Sequence, residues 1–465
     1  MGIEISKNKS LSLFGLLMIN VIAVDNLRSL TVGAEYGFAL LSFYTLAALL
    51  FFIPTILVTA ELATGWPNTG GVYIWVREAF GPRWGVLTIW LQWIYNVVWY
   101  PTIFAFIAGI IAYLIHPELV NNKTYMLCVI LIAFWSVTFI NCLGVRVSSV
   151  ISIIGAIIGT ILPMLFIAAL GFFWVYLGKP SQINFSLKNA FPSMANMHNL
   201  AFLTNILFGL MGMEMSAVHA GDVKDPKRNY PRALFYSGLI IFTTLVLGCL
   251  AITVVIPVKD LNLVSGFIDA YSIFFRAYHL DWCIPVIAVL IIVGSLSGAA
   301  AWIIGPARGL LIASQDNGLP AFLQKMNKKE MPIGILLTQG FIVTLLCAVF
   351  LIMPNVNSSY WVLSNLTAQL ALIFYILFFA AAIRLRYKCG HVDRAYEIPG
   401  GMIGMWVVAG TGITTCVAAI ILGFIPPTQV AIGKIASYEA ILIIGIIVFC
   451  AVPLMLYRRK GQDKR

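Results

Sequence analysis

Phe208-Gly-Leu-Met-Gly-Met-Glu-Met-Ser-Ala-Val-His219 is the stretch whose reading decides the fold. An apolar run opens at Leu200 and reaches Met213 before it meets Glu214. Crossing hydrocarbon takes about 20 apolar residues, so this run stops near mid-bilayer. Gly209 and Gly212 sit where it stops, and glycine lowers the cost of leaving helical geometry. A carboxylate at that depth costs about 2.5–3.5 kcal/mol on insertion scales. Two readings follow. One is a kinked but continuous helix whose Glu is paired internally. The other is a discontinuous helix around a small-solute site, because freed backbone groups survive in a membrane only beside a cavity or ligand.

The other half of the chain decides between them. A first apolar run opens at Leu11 and meets Asp25, the same spacing as from Leu200 to Glu214. Paired interruptions in matching halves are the sequence signature of a transporter's binding site.

The composition agrees. The chain has 465 residues, 61% of them hydrophobic and 10% charged, with mean hydropathy +0.95. Soluble domains are roughly 25% charged, so this is a polytopic membrane protein. Its net charge of +11 follows from membrane topology and does not point to nucleic acid. The eight cysteines are scattered, mostly in apolar runs, without CxxC or Cys/His spacing. They read as small buried hydrophobes, so no metal and no cofactor is expected.

Twelve spans are expected, at roughly 11–33, 38–63, 84–115, 123–143, 147–177, 200–222, 232–257, 282–305, 332–353, 359–383, 402–424 and 437–457. Of the 29 Lys and Arg, 22 fall on one set of connections and 6 on the other, with Arg28 inside the first span. By the positive-inside rule both termini are expected in the cytoplasm. Residues 258–281 read as an outer loop with short helical pieces. The whole chain, 1–465, reads as one transmembrane domain: two repeats, about 11–177 and 200–383, inverted because each holds an odd number of spans, plus helices 402–424 and 437–457.

Three motifs carry a family resemblance. Glu61-Leu-Ala-Thr-Gly-Trp-Pro-Asn-Thr-Gly-Gly-Val-Tyr-Ile-Trp75, continuing to Gly81-Pro-Arg-Trp-Gly85, is a tight aromatic elbow. The segment Gly212-Met-Glu-Met-Ser-Ala-Val-His-Ala-Gly-Asp-Val-Lys-Asp-Pro-Lys-Arg-Asn-Tyr-Pro-Arg232 is the second, and Trp302-Ile-Ile-Gly-Pro-Ala-Arg-Gly309 with Asp316-Asn-Gly-Leu-Pro320 is the third. Together they resemble the amino acid–polyamine–organocation transporter superfamily, and most nearly its glutamate/γ-aminobutyrate antiporters. The resemblance implies an all-α membrane protein of the five-plus-five inverted-repeat fold, with helices 1 and 6 discontinuous, working by alternating access. It implies a small amino acid as ligand, the lipid bilayer as surroundings, and a bacterial inner membrane as location. It places the substrate at Asn20, Ala23, Val24, Asp25, Asn26, Arg28, Gly209, Gly212, Met213 and Glu214. Superfamily members often break helix 1 with glycine; here Asn26 and Asp25 stand in that place, and both can bond locally to backbone.

Individual side chains leave alternatives open. Asp25 and Arg28 are three apart, so on a continuous helix they share a face and form an internal ion pair. Otherwise Arg28 takes a substrate carboxylate through its bidentate fork and Asp25 an amine. Glu214 either carries a proton and gates transport, or bonds to the broken backbone. His219 reads as a satisfied buried histidine or a gate residue, and Arg308 as a basic anchor or part of the inner path. The aromatics Trp90, Trp93, Tyr95, Trp99 and Tyr100 of span 3 hold a gate residue among packing residues. Asn365 and Gln369, four apart, are expected to face the pathway.

No HExxH, no Gly-x-Ser-x-Gly and no facing Asp pair is present, so an enzyme is not expected. An exchanger is the leading function, ahead of proton- or sodium-coupled transport of other amino acids or amines, and of a permease-like sensor.

Overall fold

The computed structural model describes residues 11–67, 70–144, 155, 157–191, 200–223, 225–317, 319–428 and 430–457. Among them the regular structure is helical: α1 (Leu13–Val24), α2 (Leu27–Ala34), α3 (Gly37–Gly65), α4 (Gly71–Phe80), α5 (Pro82–Ile115), α6 (Lys123–Cys142), α7 (Ile157–Tyr176) and α8 (Leu203–Gly209). A 3-10 segment, Met213–Asp222, follows. Then come α9 (Pro226–Val255), α10 (Gly266–Ala277), α11 (Cys283–Asn317), α12 (Ile333–Ile352), α13 (Val356–Lys388), α14 (Gly401–Leu422) and α15 (Ile435–Leu456). Helix is what an apolar chain adopts in lipid, because it satisfies every backbone group within its own segment.

Ten of these helices are long and apolar enough to cross a membrane, and the bent pair α1–α2 makes an eleventh. The expected sixth span, 200–222, holds no helix of that length; it is divided into the seven-residue α8 and the ten-residue 3-10 segment. A count of twelve therefore needs this divided segment as a crossing too. The outer loop expected at 258–281 contains α10, with the Thr31 hydroxyl of α2 donating to Leu263 O at 3.0 Å just before it.

α5 and α13 form the centre: 78% of the most apolar stretch of each is buried, against 11% for α15, which lies at the rim with an apolar surface suited to lipid. α5 packs against both α11 and α13. α13 starts in a reciprocal capping box between Asn355 and Ser358. At the opposite end of α13, Glu61 of the aromatic elbow is buried, accepting Arg386 Nη1 at 2.6 Å and the Ile398 amide at 2.9 Å. Arg394 Nε lies 3.5 Å from the same carboxylate. This ion cluster pins the α13–α14 connection onto α3. Two buried cations around one carboxylate offset the desolvation that any of them alone would suffer.

Candidate functional site

Both interrupted segments come apart, each by its own chemistry. α1 and α2 are bent by 53° across Asp25 and Asn26, whose backbones are extended (ψ 122° and 115°). Asn26 does the work a glycine would otherwise do: its side chain accepts the Arg28 amide at 3.0 Å and caps α2. The second break uses glycine. Gly212 takes φ +120°, a conformation that disfavours any Cβ. A Cβ there would also lie 3.3 Å from Ala23 O and from Val24 Cγ2. The two breaks therefore touch, and the absence of a side chain lets them.

Between them lies a cavity of about 420 Å³, counting the space at its mouth. Its walls are Ala23, Val24 and Asn26 from the first break, Gly209, Met211 and Gly212 from the second, with Ser29, Phe208, Tyr95, Asn96, Trp99 and Trp302 around them. The size is that of a small-molecule pocket, mostly apolar with a few convergent polar groups. A second cavity, about 460 Å³, lies against the first break as well, lined by Asp25, Thr160, Gly294 and Ser295 among others. The two share Ala23, Asn26, Trp99 and Trp302.

Asp25 and Arg28 do not form an ion pair. The Arg28 fork turns to α13, where Nη1 donates to Tyr360 Oη at 3.2 Å and Ser364 Oγ at 3.0 Å. Its guanidinium sits 5.6 Å from the Phe208 ring centre and 5.5 Å from that of Tyr360, and Nε has no hydrogen-bond partner among the described residues. Asp25 turns to α9, accepting from Thr244 Oγ1 at 3.1 and 3.2 Å. The shared-face argument needs one continuous helix, and the break falls between the two residues. Arg28 is 2% exposed, a buried cation facing hydroxyls and rings with no carboxylate at ion-pair distance among the described residues.

Glu214 is buried, and its Oε2 accepts Tyr375 Oη at 2.5 Å while Oε1 has no hydrogen-bond partner among the described residues. The same hydroxyl accepts the Gly212 amide at 2.9 Å. Glu214 thus reaches the broken backbone through Tyr375.

Of the sequence candidates, Ala23, Val24, Asn26, Gly209 and Gly212 line the first cavity, and Asp25 the second. Asn20, Arg28, Met213 and Glu214 line neither and are buried. The His219 side chain lies outside the described residues. Arg308 is exposed on α11, with Nη2 3.9 Å from Met331 Sδ and away from both cavities. One expectation is overturned. Asn365 and Gln369 do not face the pathway: Asn365 donates to Tyr438 Oη at 2.7 Å and Gln369 to Ile420 O at 3.1 Å, because that face of α13 packs on α14 and α15. Asn96 and Trp302 were not picked out by sequence. Their signal was the Tyr95-Asn96 and Trp99 spacing, which places one face of α5 against the breaks, and the aromatic that opens the third motif.

A family model described as amino acid permease matches residues 11–449. An uncharacterized transporter of Legionella pneumophila is 54% identical over 98% of both chains. A glutamate/γ-aminobutyrate antiporter of Lactococcus lactis is 32% identical over 98% of this chain and 92% of its own. A protein of the same species, named as a probable agmatine/putrescine antiporter, is 25% identical over 97% and 95%.

Proposed function

The chain belongs to the amino acid permease family, and from that premise we propose that it is a secondary active exchanger of glutamate/γ-aminobutyrate type, working by alternating access as one transmembrane domain. The observation that carries this reading is the cavity shared by the two breaks. The substrate α-carboxylate lies near the N-terminal end of α2, where the helix dipole favours an anion, and the ammonium meets carbonyls at the end of α1. The distal carboxylate of glutamate is drawn toward Arg28, which lies behind the Phe208 ring on the cavity wall. Twelve crossings, inverted halves, cytoplasmic termini and an inner-membrane location complete the proposal. The basic side of the connections supports this orientation.

A second reading, exchange of cationic amines, has the support of the amine-antiporter relative. The buried charge of Arg28 weighs against it. Liposomes loaded with glutamate, γ-aminobutyrate, arginine or putrescine in turn, then given labelled glutamate, separate the two. Entry driven by internal glutamate or γ-aminobutyrate is expected. Absence of labelled-glutamate entry into vesicles that do exchange labelled putrescine for internal arginine overturns the acidic-substrate reading, and equal entry into empty vesicles overturns exchange.

A further inference from the structure

We propose that Asp25 is a proton-binding site at the hinge of the first broken helix, loaded and unloaded through the second cavity once per transport cycle. The proposal rests on the transport reading above. Asp25 is 6% exposed, and among the described residues Thr244 Oγ1 is the single donor that reaches its carboxylate, at 3.1 and 3.2 Å. A hydroxyl has one hydrogen to give. The same Thr244 oxygen lies 2.8 Å from Ile240 O and 3.0 Å from Ile241 O, one turn back along α9. When the hydrogen goes to Ile240, as threonines within helices commonly direct it, an ionised Asp25 is left buried with no donor at all. Burial of an unpaired carboxylate is among the costliest arrangements a protein can hold. A proton on Asp25 resolves the geometry. The acid donates to Thr244 Oγ1, Thr244 donates to Ile240 O, and every hydrogen in the chain has an acceptor.

Among the described residues no cation takes the proton's place. Arg28 faces α13. From α3 and α9, Tyr44 Oη and Cys249 Sγ are bonded to each other at 3.5 Å. Glu214, from the 3-10 segment, is held by Tyr375. From α7 and α11 the second cavity presents hydroxyls, Thr160 and Ser295, and no charged side chain. Those hydroxyls are a bed for water, which bonds to a few polar partners at once, and so for proton passage. The crossing of α7 and α11 behind them is closed by Gly159 against Gly294, where a Cβ on either would meet the other's backbone at under 3 Å. Loading adds one proton to a carboxylate oxygen and breaks no other bond; unloading returns it to water. Because Asp25 ends α1 and the chain turns beside it, its charge state biases the α1–α2 angle, a local charge change acting on a two-state element.

The test uses the intact protein in liposomes, with labelled glutamate uptake measured under an inward proton gradient, an inward sodium gradient, or neither, and a pH dye inside. The wild type is expected to respond to the proton gradient and to acidify the lumen with uptake. Asp25→Asn is expected to lose both the stimulation and the acidification. Thr244→Val is expected to keep exchange at equal pH and to shift the pH of half-maximal stimulation. Stimulation that persists in Asp25→Asn, or stimulation by sodium instead, would each overturn the proposal. Should Asp25→Asn not fold or lose exchange altogether, an unshifted pH profile in Thr244→Val overturns it. Wild-type exchange without any gradient response also overturns the proton site but leaves the exchanger standing; no uptake under any condition overturns the exchanger itself.

Discussion

Tyr375 and Glu214 are joined by a 2.5 Å hydrogen bond from phenol to carboxylate, and the same phenol accepts the Gly212 amide at 2.9 Å. A residue of α13 thus ties the glycine of the second break to the carboxylate two residues on. Transport that moves the 3-10 segment relative to α13 has to break or carry this pair.

Tyr375→Phe leaves the Gly212 amide and the Glu214 carboxylate buried without that partner. The expected loss is about 1–3 kcal/mol of stability, the usual cost of an orphaned buried group, read as a lower unfolding midpoint in detergent. Glu214→Gln is expected to remain folded and to slow uptake between about pH 5 and 8, because the amide keeps the shape and loses the group that can take up a proton. Wild-type rates throughout that range would remove Glu214 from the mechanism.

Gly212→Ala puts a Cβ on a residue at φ +120°, and that Cβ would lie 3.3 Å from Ala23 O. Strain of about 1–3 kcal/mol is expected, with a wider gap between the breaks and weaker glutamate binding. A midpoint and an affinity equal to wild type would show that the two breaks do not need their close approach.

Arg28→Ala is expected to weaken uptake of acidic substrates more than of neutral ones. Arg28→Lys should not restore it, because a lysine cannot present the fork to Tyr360, Ser364 and a carboxylate together. Equal loss for glutamate and for neutral amino acids would make Arg28 only a tie between α2 and α13.

Asp269 in the first turn of α10 has its pKa raised to about 6, by burial first and against the opposing bond from Ser265. The unfolded chain ionises from about pH 3.8, the folded one only near 6, so stability is full below the first value and falls as pH rises through the second. Asp269→Asn removes this dependence. The midpoint difference between variant and wild type should therefore change from about pH 4 to 6 as the wild type loses this contribution; a constant difference would contradict it.

Much of the fold was legible in the residues themselves. The apolar runs, their length and the basic bias of the connections follow from the cost of charge in hydrocarbon, which acts on each segment separately. Both interruptions were legible for the same reason: a carboxylate partway into an apolar run cannot sit in lipid unanswered. So were five of the residues lining the first cavity, since a break exposes its own backbone.

Directions of side chains were not. Asp25 and Arg28 stand three apart in the chain, yet one faces α9 and the other α13. Asn365 and Gln369 look like pathway residues, yet they serve α14 and α15. Local sequence determined where the helices must come apart, because hydrophobicity and backbone propensity are properties of a short stretch. Only the tertiary structure decided which neighbour answers each buried polar group, because a hydrogen bond depends on partners remote in the chain, as Thr244 is from Asp25.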